Sequence, residues 1–365
     1  MTSAPVHQLI SIPASHYCER ARWALDLVGI PFVEYGWPPM LHYRGTMPAG
    51  GKSVPTMVAP RGDAAAAAAA AAAVADVDAR QSRLGPAAAA AGAGGGGAGA
   101  GGGGVEKAQG STRRSPPKPG VLIDSADIVE YAHLRHLGAA TTAAAAVAAP
   151  AAVAAPAAVA APGESPLYPS DPDQLKEVHE LEELFSRKLG VWTRVIAYQW
   201  LFQDRGMALD TLGLRQGGTM SGWKLVALWW MFPLIRTGVS KGLKVNADSA
   251  ARALERTRQL FKEVEARLAR PGSGGYLVGG RFTAADLAFA ALAAPVLCPP
   301  QFGAYLPPAE AWPADYPMHE LRRTTAGQYA LRMYSQHRKP QPAAESADAA
   351  AAAAAAGESQ QQSRL

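Results

Sequence analysis

Cysteine is nearly absent: Cys18 and Cys298 are the two copies in 365 residues. Two cysteines build no disulfide framework, and neither a Cys-x-x-Cys pair nor the Cys/His spacing of a zinc site occurs. No metal is therefore expected, and a reducing compartment is the simplest setting. A large excess of one sign of charge is also lacking, since 35 Lys and Arg against 30 Asp and Glu leave a net +5. Arg113, Arg114 and Lys118 fall in a stretch of linker composition, and no basic helix or aromatic-basic motif accompanies them, so nucleic acid is not an expected partner. One stretch, Leu225 to Ile235 (LVALWWMFPLI), is continuously apolar. It falls well short of the ~20 residues a membrane span requires and reads as a buried helix or pocket wall. The first residues show neither the apolar core of a secretion signal nor an Arg-rich leader, so a cytoplasmic protein is expected.

What the chain has in excess is alanine and glycine, which dominate three segments and inflate the 48% hydrophobic content. Residues 63–119 run from poly-Ala through poly-Gly to a Ser/Pro/Lys/Arg tail. Glycine tracts lose too much backbone entropy on ordering and have nothing to bury, so a disordered insert is expected there. Three copies of AAVAAP lie between Ala145 and Pro162. Their prolines forbid a continuous helix and make 139–165 an Ala/Pro linker. Residues 340–365 read as a disordered tail. About 260 residues remain for globular structure, enough for one large or two small cores.

Those residues fall into an ordered pattern. HQLISIP is a strand candidate; YCERARWALDLVG is a helix with Ala21, Ala24, Leu25 and Val28 on one face and Gly29 placed to end it. PFVEYGW is a second strand, and SVPTMVAP and GVLIDS are short β runs flanking the insert, which thus resembles an overgrown hairpin turn. SADIVEYAHLRHL starts a helix with Ser125 as its cap candidate. From Ser170-Asp171-Pro172 onward the patterns are helical only, with a stripe through Leu175, Val178, Phe185, Leu189, Trp192 and Ile196 and another through Leu254, Phe261, Val264 and Leu268. A small mixed-sheet domain followed by a helical domain is the packing solution for this order.

Four places bear on chemistry. The turn before the first helix, ASHYC, presents unpaired backbone N–H groups with the helix dipole behind them, a setting that stabilises an anion. In GGKSVPTM, a cis Val54–Pro55 bond would leave the Val54 backbone free to pair with an extended ligand, the plain alternative being an ordinary start of a strand. In IDSADI, the Ser125 turn could cradle a carboxylate and Asp124 an ammonium, or the serine could simply cap. In FTAADLAFAAL, Thr283 caps a helix and Asp286 reaches back from its third position, which makes Asp286 a fold determinant and not a catalytic acid. The Trp-, Met- and Leu-rich stretch Tyr198 to Ile235 reads as core or as the lining of a co-substrate pocket.

SHYCERARWALDLVGIPF, MPAGGKSVPTMV and VLIDSADIVEYA resemble, in order and spacing once the insert is removed, the N-terminal domain of the glutathione transferase superfamily, and YLVGGRFTAADLAFAAL is similar to the signature of its helical domain. The resemblance implies an α/β thioredoxin-like glutathione-binding domain formed by 1–62 and 120–138, followed by an all-α C-terminal domain over 166–339. It also implies glutathione as co-substrate, a hydrophobic small molecule held between the domains, and a homodimer. Carried over by position, Val54 would pair with the cysteinyl part of glutathione, Pro55 would be the cis-proline, and Lys52 would meet the glycyl carboxylate. Asp124 and Ser125 would bind the γ-glutamyl end, with Asp standing where the family has Glu.

At the first turn SHYC overlays the Cys-Pro-x-Cys redox motif of related thioredoxin-like proteins, with Ser15 at the exposed first position and Cys18 at the more buried fourth. Ser15 suits stabilisation of the glutathione thiolate and hence conjugation to a hydrophobic electrophile. Cys18 would instead support thiol-disulfide exchange if exposed, and a third alternative keeps the fold without catalysis. His16 and Tyr17 are further candidates to reach the sulfur, with surface filler as the plain reading of His16.

Overall fold

The computed structural model describes residues 6–71, 118, 120–146, 165–216 and 222–338. Its only named sheet among these residues has four strands in the order β2-β1-β3-β4: β1 His7–Ser11, β2 Phe32–Gly36, β3 Thr56–Val58 and β4 Val121–Leu122. β1 and β2 are parallel, joined through α1 (His16–Leu27), while β1–β3 and β3–β4 are antiparallel. Leu9 pairs with Met57, and Met57 with Leu122, so the three form a row across the pleat, and all are essentially unexposed. Glu34 pairs with Leu9 on the other side and is salt-bridged to Arg22, which identifies this row as the face covered by α1. α1 stops where the sequence places Gly29, which adopts φ 71°.

α2, Ser125–Ala146, follows β4 and buries Ile128, Val129, Tyr131 and Ala132. It runs eight residues into the stretch expected to be linker, because the first AAVAAP proline comes only at Pro150. The expected insert likewise begins with order: residues 64–71 are helical, with Ala66 and Ala69 buried. Asp63 holds this helix down. Its Oδ1 accepts from Ala66 N at 3.1 Å, and its Oδ2 accepts from the Tyr131 hydroxyl at 2.8 Å. Poly-Ala is the best helix former available, and a cap plus an apolar surface to lie on is what it lacked in the sequence view. The rest of the insert, most of the linker and the tail lie outside the described residues.

The helical part comprises α3 (Pro172–Leu184), α4 (Gly190–Leu201), α5 (Trp223–Gly242), α6 (Ala247–Leu268), α7 (Ala284–Leu297) and α8 (Thr325–His337), with shorter turns between. Asp171 caps α3, accepting from Gln174 N at 2.9 Å with Pro172 in the first turn. A wide π-type turn, Phe185–Leu189, joins α3 to α4. α7 is the central helix, buried at every position but Pro295. No helix among the described residues is long and apolar enough to cross a membrane.

α1 is the join between the two parts, and here the one-face reading of the sequence is corrected. Beside Ala21, Ala24 and Leu25, the side chains of Glu19, Arg20, Arg22 and Trp23 are also fully buried. Arg20 reaches Glu182 at 2.5 Å and Ser186 Oγ at 2.7 Å on the α3 side. Arg22 bridges Glu19 (2.5 Å) and Glu34 (3.0 Å), while Arg338, just past α8, bonds Glu19 (2.9 Å) and Asp26 (2.6 Å). Such a network is tolerable in the interior only because nearly every charge has an opposite partner.

Candidate functional site

Strand direction decides which loops meet. β1 and β4 are each antiparallel to β3, so the carboxyl ends of β1 and β4 and the amino end of β3 share one edge of the sheet. The register Ile10↔Thr56 and Met57↔Leu122 then brings the turns ending in Ser15, Val54–Pro55 and Asp124–Ser125 to that edge. The loop before β3 is drawn tight: Thr56 Oγ1 donates to Ser53 O at 2.8 Å, and a Cβ on Gly51 would lie 2.9 Å from Thr56 Oγ1 and 3.6 Å from Ile123.

Ser15 occupies the N-cap position of α1 with extended backbone (φ −75°, ψ 125°) and is half-buried. Its N–H donates to Ile12 O at 2.8 Å and its carbonyl accepts the first helical bond from Glu19 N at 2.9 Å, yet its side chain does not cap its own helix. The hydroxyl lies in hydrogen-bonding range of the Cys18 sulfur. Cys18 itself is fully buried, and burial pushes its thiol up to about 12, outweighing the opposing pulls of Arg22, the Ile12 backbone and Ser15. At neutral pH its thiolate fraction is on the order of 10⁻⁵. Exposure, the condition for a Cys18 nucleophile, is not met.

His16 is buried, not surface filler, and its Nε2 lies 2.8 Å from Gly190 O. A carbonyl only accepts, so this ring nitrogen carries the proton. Burial first, and the Arg194 charge second, depress the imidazole to about 3, so it stays neutral. The Tyr17 hydroxyl donates to Ser186 O at 2.7 Å and is pushed up to about 12 by burial. Both polar ends are therefore directed at the α3–α4 junction. The approach needs glycine at the start of α4, because a Cβ on Gly190 would lie 2.5 Å from the Tyr17 hydroxyl and 3.2 Å from His16 Nε2.

α4 adds two groups that the sequence did not single out individually. Arg194 is close enough to act electrostatically on His16, Tyr17 and Tyr198, its Nε is buried without a hydrogen-bond partner, and it forms no ion pair among the described residues. Tyr198 is pushed up by burial, with the Cys18 sulfur among its neighbours, and it also lines a recess of about 160 Å³ with Phe202, Arg236 and Val245. Arg194 lies two residues from Ile196 of the helical stripe, and only the packing of α4 on α1 reveals what it faces.

At the amino end of β3 the Val54–Pro55 bond is cis, and the half-buried Val54 has no hydrogen-bond partner among the described residues. Lys52 is exposed beside it. The third turn departs from expectation. The residue in the cap position is Asp124, whose carbonyl accepts from Ile128 N at 3.2 Å and whose carboxylate accepts from Ala126 N at 3.3 Å. Ser125 is the first helical residue, fully buried, and its hydroxyl donates to Asp124 Oδ1 at 3.3 Å. The Asp124 carboxylate thus takes up donors that the sequence view had left for a ligand carboxylate.

Thr283 and Asp286 sit in the interior. Asp286 Oδ2 accepts from Thr283 N (2.6 Å) and Thr283 Oγ1 (2.9 Å), while Oδ1 accepts from Leu277 N (2.9 Å) and the Tyr329 hydroxyl. Burial raises its carboxyl to about 6 despite these donors. Among the described residues no group of three or more His, Cys, Asp or Glu is placed to hold a metal. The larger cleft, about 630 Å³ and lined in part by Gln8, Ile10, Val58, Arg61 and Lys118, does not include Ser15.

Comparison with known proteins bears on the helical part. Residues 247–318, spanning α6, α7 and the turns that follow them, match the family model of the glutathione S-transferase C-terminal domain. No curated protein matches the chain. With the small mixed sheet ahead of it, that domain gives the chain a glutathione-transferase-like fold.

Proposed function

We propose that this glutathione-transferase-like protein binds glutathione at the sheet edge formed by Ser15, Val54 and Asp124 and conjugates it to a hydrophobic electrophile. The observation that carries the reading is the pairing, at one edge, of a half-exposed serine hydroxyl that does not cap its own helix with an unpaired backbone at Val54. Val54 N–H and C=O suit the cysteinyl unit of a peptide ligand, Lys52 its glycyl carboxylate, and Asp124 its ammonium group, with Ser125 orienting Asp124 from behind.

Glutathione loses its thiol proton to solvent, the Ser15 hydroxyl donates to the resulting sulfur, and the thiolate attacks the electrophilic carbon to form a C–S bond while the leaving group departs with the displaced electron pair. Ser15 stays neutral throughout. Lowering a thiol pKa by two units takes roughly 2.7 kcal/mol. A charge-assisted hydrogen bond contributes ~1.5–3 kcal/mol and the helix dipole ~0.3–1 kcal/mol, which together suffice. The Arg194 charge acts in the same direction. The electrophile would lie along α4, against Tyr198 and Phe202. A cytoplasmic homodimer fits this reading.

The test is glutathione affinity and conjugation by the full chain, using an aryl chloride activated by nitro groups. Ser15→Ala should cost roughly 10- to 100-fold in conjugation with the fold intact. A correctly folded chain that ignores millimolar glutathione would sink the proposal. One observation favours a second reading, a ligand-binding or interaction module without catalysis: the Asp124 carboxylate already satisfies part of the turn meant for the γ-glutamyl end. The buried Cys18 leaves thiol-disulfide exchange without such support.

A further inference from the structure

The run Leu225–Ile235, expected to be a buried helix or a pocket wall, is buried on one side only. Within α5 the inward stripe is Leu228, Phe232, Ile235 and Val239. About half a turn away, at steps of three and four, Trp223, Val226, Trp230 and Leu234 form a second apolar stripe, flanked by Trp229. These five side chains are between 46% and 73% exposed. Together they present on the order of 500 Å² of apolar surface, more than isolated surface hydrophobics would.

Along α5 and its immediate flanks the charge is of one sign, although Arg215 is paired with Asp210. Between residues 211 and 247 the chain has five basic residues, Arg215, Lys224, Arg236, Lys241 and Lys244, and no aspartate or glutamate. Arg236, Lys241 and Lys244 form no ion pair among the described residues, and all three are exposed. Arg205 stacks over Trp229 at 5.1 Å, adding a further cation beside the stripe. A second copy of this chain is a poor cover: a two-fold contact through the face would set the same unpaired cations of both copies against each other. Tryptophan, leucine and valine on one side of a helix, with arginine and lysine at its margin, match the boundary between phospholipid headgroups and acyl chains.

We propose that the outer stripe of α5 docks the protein on an anionic phospholipid surface, lying in the interface without crossing it. Trp223, Trp230 and Leu234 enter the headgroup–acyl boundary while Arg236, Lys241 and Lys244 meet lipid phosphates and carboxylates. This inference does not depend on glutathione chemistry.

The experiment is sedimentation of the full chain with phosphatidylcholine vesicles, with and without phosphatidylserine, at low and high salt. Binding should be about tenfold stronger or more to the anionic vesicles and should weaken with salt. Tryptophan emission should shift to the blue on binding. Trp230→Ser combined with Leu234→Ser should reduce the shift and lower binding roughly tenfold or more, and Lys241→Glu with Lys244→Glu should remove the preference for anionic lipid. All four positions are exposed, so the folded state tolerates these changes. A full chain that stays off both vesicles, one that binds them equally, or a self-association that the Trp230/Leu234 variant dissolves would each overturn the proposal.

Discussion

Acidification tests the junction between sheet and helices through one residue, His16. Its imidazole is buried and donates from Nε2 to Gly190 O, beside Tyr17 and the Arg194 charge. In the unfolded chain it titrates near 6.5; in the folded protein it is held down to about 3. Below pH 6.5 the unfolded state therefore takes up a proton that the folded state refuses. Stability from this group is complete above the unfolded value and is lost progressively as pH falls toward 3. Between pH 6.5 and 5 the loss is about 2 kcal/mol, and by pH 3 it reaches about 5 kcal/mol, at 1.36 kcal/mol per unit. Urea unfolding of wild type and His16→Gln at pH 7 and pH 5 isolates the term, since Gln keeps a donor for Gly190 O but does not titrate. Asp26 and Asp286, both raised to about 6 by burial, oppose this trend, but they are present in both proteins and cancel in the comparison. Wild type should lose about 2 kcal/mol more than the variant on acidification. Equal losses would refute the neutral, buried His16.

Three further outcomes follow from the same packing. Gly190→Ala should cost about 1–3 kcal/mol, since its Cβ must displace the Tyr17 hydroxyl; an unchanged urea midpoint would show that the helix starts are not so close. Cys18 and Cys298, both buried with thiols pushed up to about 12, should resist a thiol reagent in the native protein and react at once when unfolded, and native labelling of Cys18 would contradict its placement. Glu19→Gln should destabilise by about 3–5 kcal/mol by weakening the pairing of two buried guanidiniums, Arg22 and Arg338. A loss below about 1 kcal/mol in thermal unfolding would mean the network is solvated.

Local chemistry made part of the molecule legible in the sequence alone. The order of strands and helices, the stop at Gly29, the start at Asp171-Pro172 and the Thr283–Asp286 reach-back all rest on neighbours within a turn or two, so spacing and propensity were sufficient to find them. The same holds for the three segments that converge at the site, because each has its own short pattern. What spacing cannot encode is which face of an element meets another element. The burial of α1 on every side, with Glu19 and Arg22 linked to Arg338 more than three hundred residues away, appears only when α8 returns to the sheet domain. The helix at 64–71 forms where Asp63 and an apolar surface receive it, and Asp124 displaces Ser125 as the cap because its carboxylate can turn back onto Ala126 N–H. For the same reason the sequence marks SHYC as a candidate reactive turn and ranks Ser15 as the more exposed member, but it leaves open how far Cys18 is closed off. Sequence set Ser15 and Cys18 three residues apart on a helix start, and tertiary packing left the hydroxyl half-exposed while it sealed the thiol, because burial is a property of neighbours that a chain acquires only by folding.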